Sequence, residues 1–289
     1  MSRRLALFVR QMNPIALASQ IWRHRDLVRQ LTWREVTGRY RSSLLGFGWS
    51  FITPLVTLSA YTFVFGLVFR ARWPQATAAG TAASTAGGGG LGSFGLALFA
   101  GLIAFTFFAE CLTRAPGIIT ASPNYVKKVV FPLEVLPVSV VGSALFHAAI
   151  SAIVLLIAHQ ILQGAIDWTA VFLPVVFVPL VLLALGTTWF FASVGVFFRD
   201  AVHTVVLVSQ VLMFMTPVFY PIDAVPQSFR WILALNPLTP LVENARRVTV
   251  QGLPPDWPSL GLSLVVGSLV AIIGYAWFVS TKRAFADVI

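Results

Sequence analysis

The sequence predicts an all-α membrane protein with six transmembrane helices. Of its 289 residues, 57% are apolar and only 10% are charged, and the mean hydropathy is +0.84. A soluble chain carries about 25% charged residues to cover its surface, so an ordinary globular enzyme is excluded. Six apolar stretches, near 48–69, 94–113, 133–158, 170–197, 203–220 and 259–280, each approach the roughly 20 residues needed to cross about 30 Å of hydrocarbon. Cationic residues fall on alternate connections between these stretches, which fixes the orientation.

The chain opens with residues 1–47, a cytoplasmic N-terminal segment ahead of the six-span membrane region 48–289. Arg3 and Arg4 are not followed by the apolar core and cleavage site of a secretory signal, so the N-terminus is expected to be retained. Over 15–35 the periodicity is helical: Leu17, Ile21, Val28 and Leu31 share an arc, while Arg23, Asp26, Arg29 and Gln30 point away. Such a helix either lies in the membrane interface or packs its apolar face on a partner. Between the first two spans, 71–93 is low in complexity and ends in four glycines, reading as a flexible loop. The fourth and fifth spans are separated by Arg199-Asp200.

With the N-terminus inside, fifteen of the twenty Lys and Arg residues are cytoplasmic: nine arginines before residue 48, then Arg114, Lys127, Lys128, Arg199, Lys282 and Arg283. Arg70, Arg72, Arg230, Arg246 and Arg247 remain outside. The positive-inside rule therefore places both termini in the cytoplasm. Two connections are too structured for plain loops. Residues 114–132 face the cytoplasm and hold a short helix ending at Tyr125-Val126-Lys127-Lys128. Residues 221–257 lie outside and alternate prolines with apolar runs too short to span, which predicts a re-entrant pair of half-helices broken at Asn236-Pro237.

The chemistry is as informative for what it lacks. None of the three lysines follows a glycine, so no Walker A loop is present and ATP hydrolysis by that route is excluded. His24, His147, His159 and His203 have no metal-ligand spacing with Cys111 or with carboxylates, and no metal is expected. The net charge of +10 is confined to a few clusters rather than spread over a polar face, so no nucleic acid is expected. Cys111, alone in an apolar run, forms no intramolecular disulfide and reads as a small buried hydrophobe.

Ionisable residues within spans are functional candidates by default. Glu110 precedes Arg114 by four residues, the favourable order for a helical ion pair. His147 lies mid-span, either relaying protons or bonded as a neutral ring to a neighbouring helix. The cluster Arg34, Arg39, Tyr40 and Arg41 either anchors the chain at the interface or clamps a lipid-linked diphosphate, for which guanidinium forks are suited. Trp49, Phe51, Phe214, Phe219 and Tyr220 are candidates to line a pore, where aromatic faces stack on sugar rings; the other reading is a lipid-facing belt.

Several segments together resemble the type-2 ABC-transporter permeases that export O-antigen, capsule and teichoic acid. They are Tyr40-Arg41-Ser42-Ser43-Leu44-Leu45-Gly46 with Trp49 and Pro54, Lys127-Lys128-Val129-Val130-Phe131-Pro132-Leu133-Glu134-Val135-Leu136-Pro137, Phe198-Arg199-Asp200, Thr216-Pro217-Val218-Phe219-Tyr220-Pro221 and Leu235-Asn236-Pro237-Leu238-Thr239-Pro240. The resemblance implies a homodimer in the bacterial inner membrane, docked on two copies of a separate nucleotide-binding subunit that holds ATP and Mg. It implies a channel for a lipid-linked glycan, with O-antigen the first expectation. It also assigns Asn124, Tyr125, Lys127 and Lys128 to ATPase coupling, and Trp231, Asn236, Pro237 and Glu243 to an outer gate. Two other readings remain: a same-superfamily exporter of capsule, teichoic acid or a small lipid or drug, and a membrane-embedded glycan-assembly enzyme acting through Asp223, Glu243 or Asp256.

Overall fold

A computed structural model describes residues 22–41, 43–69, 91–126 and 131–288. The glycine-rich stretch, Leu17, Ile21, Lys127 and Lys128 lie outside the described residues. Every regular element among those described is helical. Five helical segments are long and apolar enough to cross a membrane: Gly46–Val68, Gly92–Gly117, Val135–Gln163, Trp168–Phe197 and Trp257–Ala284.

Helix α1 (Arg25–Gly38) buries Leu31 and Val36, and Leu27 and Val28 pack beside them. It lies against α5 (below), so its apolar face has a protein partner as well as any interface. The first long segment is α2 (Trp49–Tyr61), continuing into a π-helical turn over Thr62–Val68. The second is α3 (Leu91–Arg114), followed by the four-residue α4 (Pro123–Val126). Then come α5 (Val135–Gln163) and α6 (Leu173–Phe197).

The predicted fifth span takes a different form. Its helix, α7 (Ala201–Met215), has 15 residues, about 22 Å at 1.5 Å per residue and short of about 30 Å of hydrocarbon. Thr216 is extended because Pro217 follows it, and a residue before proline is driven out of the helical region. Beyond it, α8 (Arg230–Leu235) and α9 (Thr239–Thr249) are separated at Asn236-Pro237, the predicted break. Helix α10 (Trp257–Thr281) and the short α11 (Phe285–Val288) complete the chain.

Helix α3 is the centre of the bundle, touching α2, α5, α6, α7 and α9; 83% of its most apolar stretch is buried, against 11% for the α2 segment. Its apolar side chains, from Leu96 through Phe107 to Leu112, form the main core with α5, α6 and α9. Helices α6 and α10 make the closest approach, because a Cβ at Gly186 or Gly274 would collide with the facing backbone.

Polar contacts sort the bundle into two ends. At one end Glu35 and Arg39 pair with α3 and Arg34 with Tyr125. Lys282 pairs there with Glu134 at 3.3 Å. At the other end Arg246 reaches Ala97, Thr169 reaches Val248 and Asn236 reaches Thr216. The long helices therefore run alternately up and down.

Candidate functional site: a polar cavity beside a buried arginine strut

At the arginine-rich end, α2, α3 and α5 line an open cavity of about 290 Å³, with Trp49, Thr53 and Thr106 exposed along it. Each helix contributes polar residues four positions apart, which an α-helix stacks on one face: Thr53 and Thr57 on α2, Thr106 and Glu110 on α3, His147 and Ser151 on α5. Arg39 and Tyr40, just after α1, and Trp49, at the start of α2, close it. Arg39 pairs with Glu110. Arg114 stands 3.5 Å from the same carboxylate and pairs more closely with Glu35. The Tyr40 hydroxyl lies 3.3 Å from Nδ1 of His147, bonding that histidine to a neighbouring segment.

The four residues of the Arg34–Arg41 cluster thus have separate surroundings. Arg34 donates to the Tyr125 hydroxyl at 2.6 Å and lies over its ring, away from the cavity. Arg39 and Tyr40 line it. Arg41 is exposed and makes no ion pair or hydrogen bond with a described residue. Of the coupling candidates, Asn124 is exposed, while Tyr125 stacks on Phe131 with ring centres 4.3 Å apart. Lys127 and Lys128 lie outside the described residues.

The aromatic candidates divide likewise. Trp49 faces the cavity and donates to the Ser43 hydroxyl at 2.8 Å. Phe51 and Phe214 are exposed. Phe219 packs in a cluster with Tyr61, Phe65 and Phe214, and Tyr220 donates to the Phe214 carbonyl at 2.9 Å.

At the opposite end, Asn236 holds the α8–α9 break. Its amide donates to the Thr216 hydroxyl at 2.9 Å, and its carbonyl accepts from the Leu238 N–H at 3.0 Å. Trp231 and Pro237 are exposed. Glu243 accepts from Arg246 at 2.8 Å. Arg246 is fully buried; it donates to the Ala97 carbonyl on α3 at 2.8 Å and to the Val218 carbonyl after α7. Gly101 makes room for it, since a Cβ there would stand 2.6 Å from its guanidinium. Burial lowers the Arg246 pKa to about 10, which still leaves it charged at neutral pH. Burial pushes the Glu243 carboxyl up, with Arg246 opposing.

The bundle thus has a polar cavity at one end and a strutted helix pair at the other. The family model described as "ABC-2 type transporter" matches residues 26–249. The chain belongs to the ABC-2 type transporter family. Among its relatives is the O-antigen export system permease protein RfbA of Klebsiella pneumoniae, 28% identical over 267 residues, which cover 91% of this chain and 95% of that protein. The protein of the same name from Myxococcus xanthus is 28% identical over 275 residues, 94% and 99% of the two chains. The polysialic acid transport protein KpsM of Escherichia coli is 24% identical over 269 residues, 89% and 94%. The family match runs from α1 through α9 and so includes both the cavity and the strut.

Arg246 was missed from sequence because a charge outside the spans reads as solvated. The hydroxyls of the cavity carried a visible signal: an i, i+4 polar pair on each of three apolar helices.

Proposed function

We propose that this chain is the permease subunit of an ATP-driven exporter of lipid-linked polysaccharide, O-antigen in the first instance, in a bacterial inner membrane. The observation that carries the reading is the nearly full-length similarity to export permeases named for O-antigen. Similarity to KpsM favours a capsule-type polymer as the second reading.

In this reading the arginine-rich end is cytoplasmic, and so are both termini. Helix α7 with residues 216–220 forms a short sixth crossing beside the five long ones. The α8–α9 pair is re-entrant and forms the outer gate through Trp231, Asn236, Pro237 and Glu243. Two copies of the chain face each other; support comes from α2, whose apolar segment is 11% buried, and α7, which buries only Val205 and Ser209. Glycan passes between them along aromatic side chains. Two copies of a separate ATPase subunit, holding ATP and Mg, dock on the 114–132 segment through Asn124, Tyr125, Lys127 and Lys128. Arg41, uncommitted and exposed, takes the lipid diphosphate at the loading site framed by Arg34, Arg39 and Tyr40.

The test is capture of the tagged chain from gently solubilised native membranes, with partners identified by mass spectrometry, alongside deletion of its gene. Equimolar recovery of a Walker-containing ATPase and loss of surface polysaccharide are expected. Recovery without an ATPase, and an unchanged cell surface, would overturn the reading. Charge reversal of Lys127 and Lys128 to Glu is expected to reduce recovery of the ATPase or its turnover in the complex.

A further inference from the structure

The cavity beneath Arg39 is balanced in charge, and this specifies what it takes. Arg39 and Arg114 are matched by Glu110 and Glu35, so an incoming phosphate meets cations already paired and faces the Glu110 carboxylate. Two atoms buried in its walls have no partner among the described residues: the hydroxyl of Ser50, which is 5% exposed, and Nε2 of His147. Both residues line the cavity. Unmet polar atoms in apolar surroundings mark a place that a ligand or water completes.

The hydroxyls of Thr57 and Thr106 donate to carbonyls of their own helices, which leaves their oxygen lone pairs to accept. Trp49 keeps 42% of its surface exposed at the rim, offering an aromatic face. About 290 Å³ lies at the lower limit of small-ligand sites, which run from roughly 300 to 1,000 Å³. That is room for one ring.

We infer that this cavity binds one neutral pyranose ring, its hydroxyls bonded to the threonine walls and its apolar face against Trp49. The ring has two possible sources: the sugar nearest the lipid of the exported glycan, or the headgroup of a membrane glycolipid. Assigning it to cargo rests on the exporter reading; the site itself does not. On that assignment the diphosphate stays outside, at Arg41, and the cavity selects the first sugar.

A Thr106→Cys variant of the full chain in nanodiscs, with its ATPase partner, reports occupancy through the rate of thiol alkylation; native Cys111 is buried. Methyl pyranosides are expected to slow alkylation, about threefold when their concentration reaches twice the Kd by mass action. Thr53→Val with Thr57→Val should abolish the protection, and sodium pyrophosphate should give none. Protection by pyrophosphate and not by pyranosides would overturn the inference, as would no protection by either. Native membranes prepared with glycan synthesis on and off, and nanodiscs with and without a neutral glucosyl lipid, separate the sources. Protection that follows glycan synthesis assigns the site to cargo; protection by the glucosyl lipid alone assigns it to the membrane. Loss of surface polysaccharide on gene deletion without any ring protection would reject this site and leave the exporter reading standing. Ring protection with an unchanged cell surface would do the reverse.

Discussion

The two ends of α3 hold their arginines in opposite ways. At the arginine-rich end, Arg39 and Arg114 share Glu110 and Glu35, and every member of that network keeps between 21% and 40% of its side chain exposed. At the other end Arg246 is wholly enclosed, with two main-chain carbonyls and Glu243 around it. Partly exposed pairs are weak and exchange partners easily. A buried guanidinium is costly to isolate and therefore keeps its partners. One end of the same helix is held by weak, partly exposed pairs, and the other by a buried contact to α9.

Arg246→Ala tests this contrast hardest. It leaves the Val218 carbonyl and the Glu243 carboxylate without their guanidinium donor, and breaking a buried pair costs about 3–5 kcal/mol. Thermal unfolding of the detergent-purified chain should show a large loss of stability, with Arg246→Lys intermediate because an ammonium cannot reproduce the planar fork. A loss below that seen at Glu110 would break the comparison.

Gly101→Ala probes the same contact from the helix side. The added methyl stands 2.6 Å from the guanidinium and 3.0 Å from its central carbon, so the strut must shift. Overpacking of this kind costs about 1–3 kcal/mol. The double variant with Arg246→Ala should be less than additive, since the methyl then enters vacated space.

These two residues also show where sequence reasoning ran out. The five long spans and the Asn236-Pro237 break follow from hydropathy and from the geometry forced on a residue before proline, and both are found in the structure. The apolar run over 203–220 reads as one span, yet Pro217 divides it; hydropathy sums through a proline that the backbone cannot ignore. Arg246 and Arg247 look alike on the page, and only the fold buries one. The cavity was half legible. Glu110 and His147 stood out as ionisable groups within spans, and the i, i+4 polar pairs were visible on each helix, but only the packing of three helices brings them to one cavity.

At the inner end, Glu110→Gln removes one charge shared by two arginines. Exposed pairs contribute about 0.2–1 kcal/mol, so the unfolding temperature should barely change. Transport is expected to fall several-fold, because the charge balance that excludes phosphate from the cavity is lost. A stability loss equal to that of Arg246→Ala would make the inner network a second strut and erase the distinction.

The smallest effect is expected from Tyr125→Phe. It deletes the 2.6 Å hydrogen bond from Arg34 but keeps the ring under the guanidinium and the stack on Phe131. A half-exposed hydrogen bond contributes about 0.5 kcal/mol, near the limit of a thermal-shift measurement. Its value lies in the ratio of ATP turnover to transport in the assembled complex. If the segment around α4 transmits force to α1, loosening this bond should raise ATP turnover per glycan exported while stability stays constant. An unchanged ratio would assign the contact to packing alone and shift the coupling role to residues closer to Lys127.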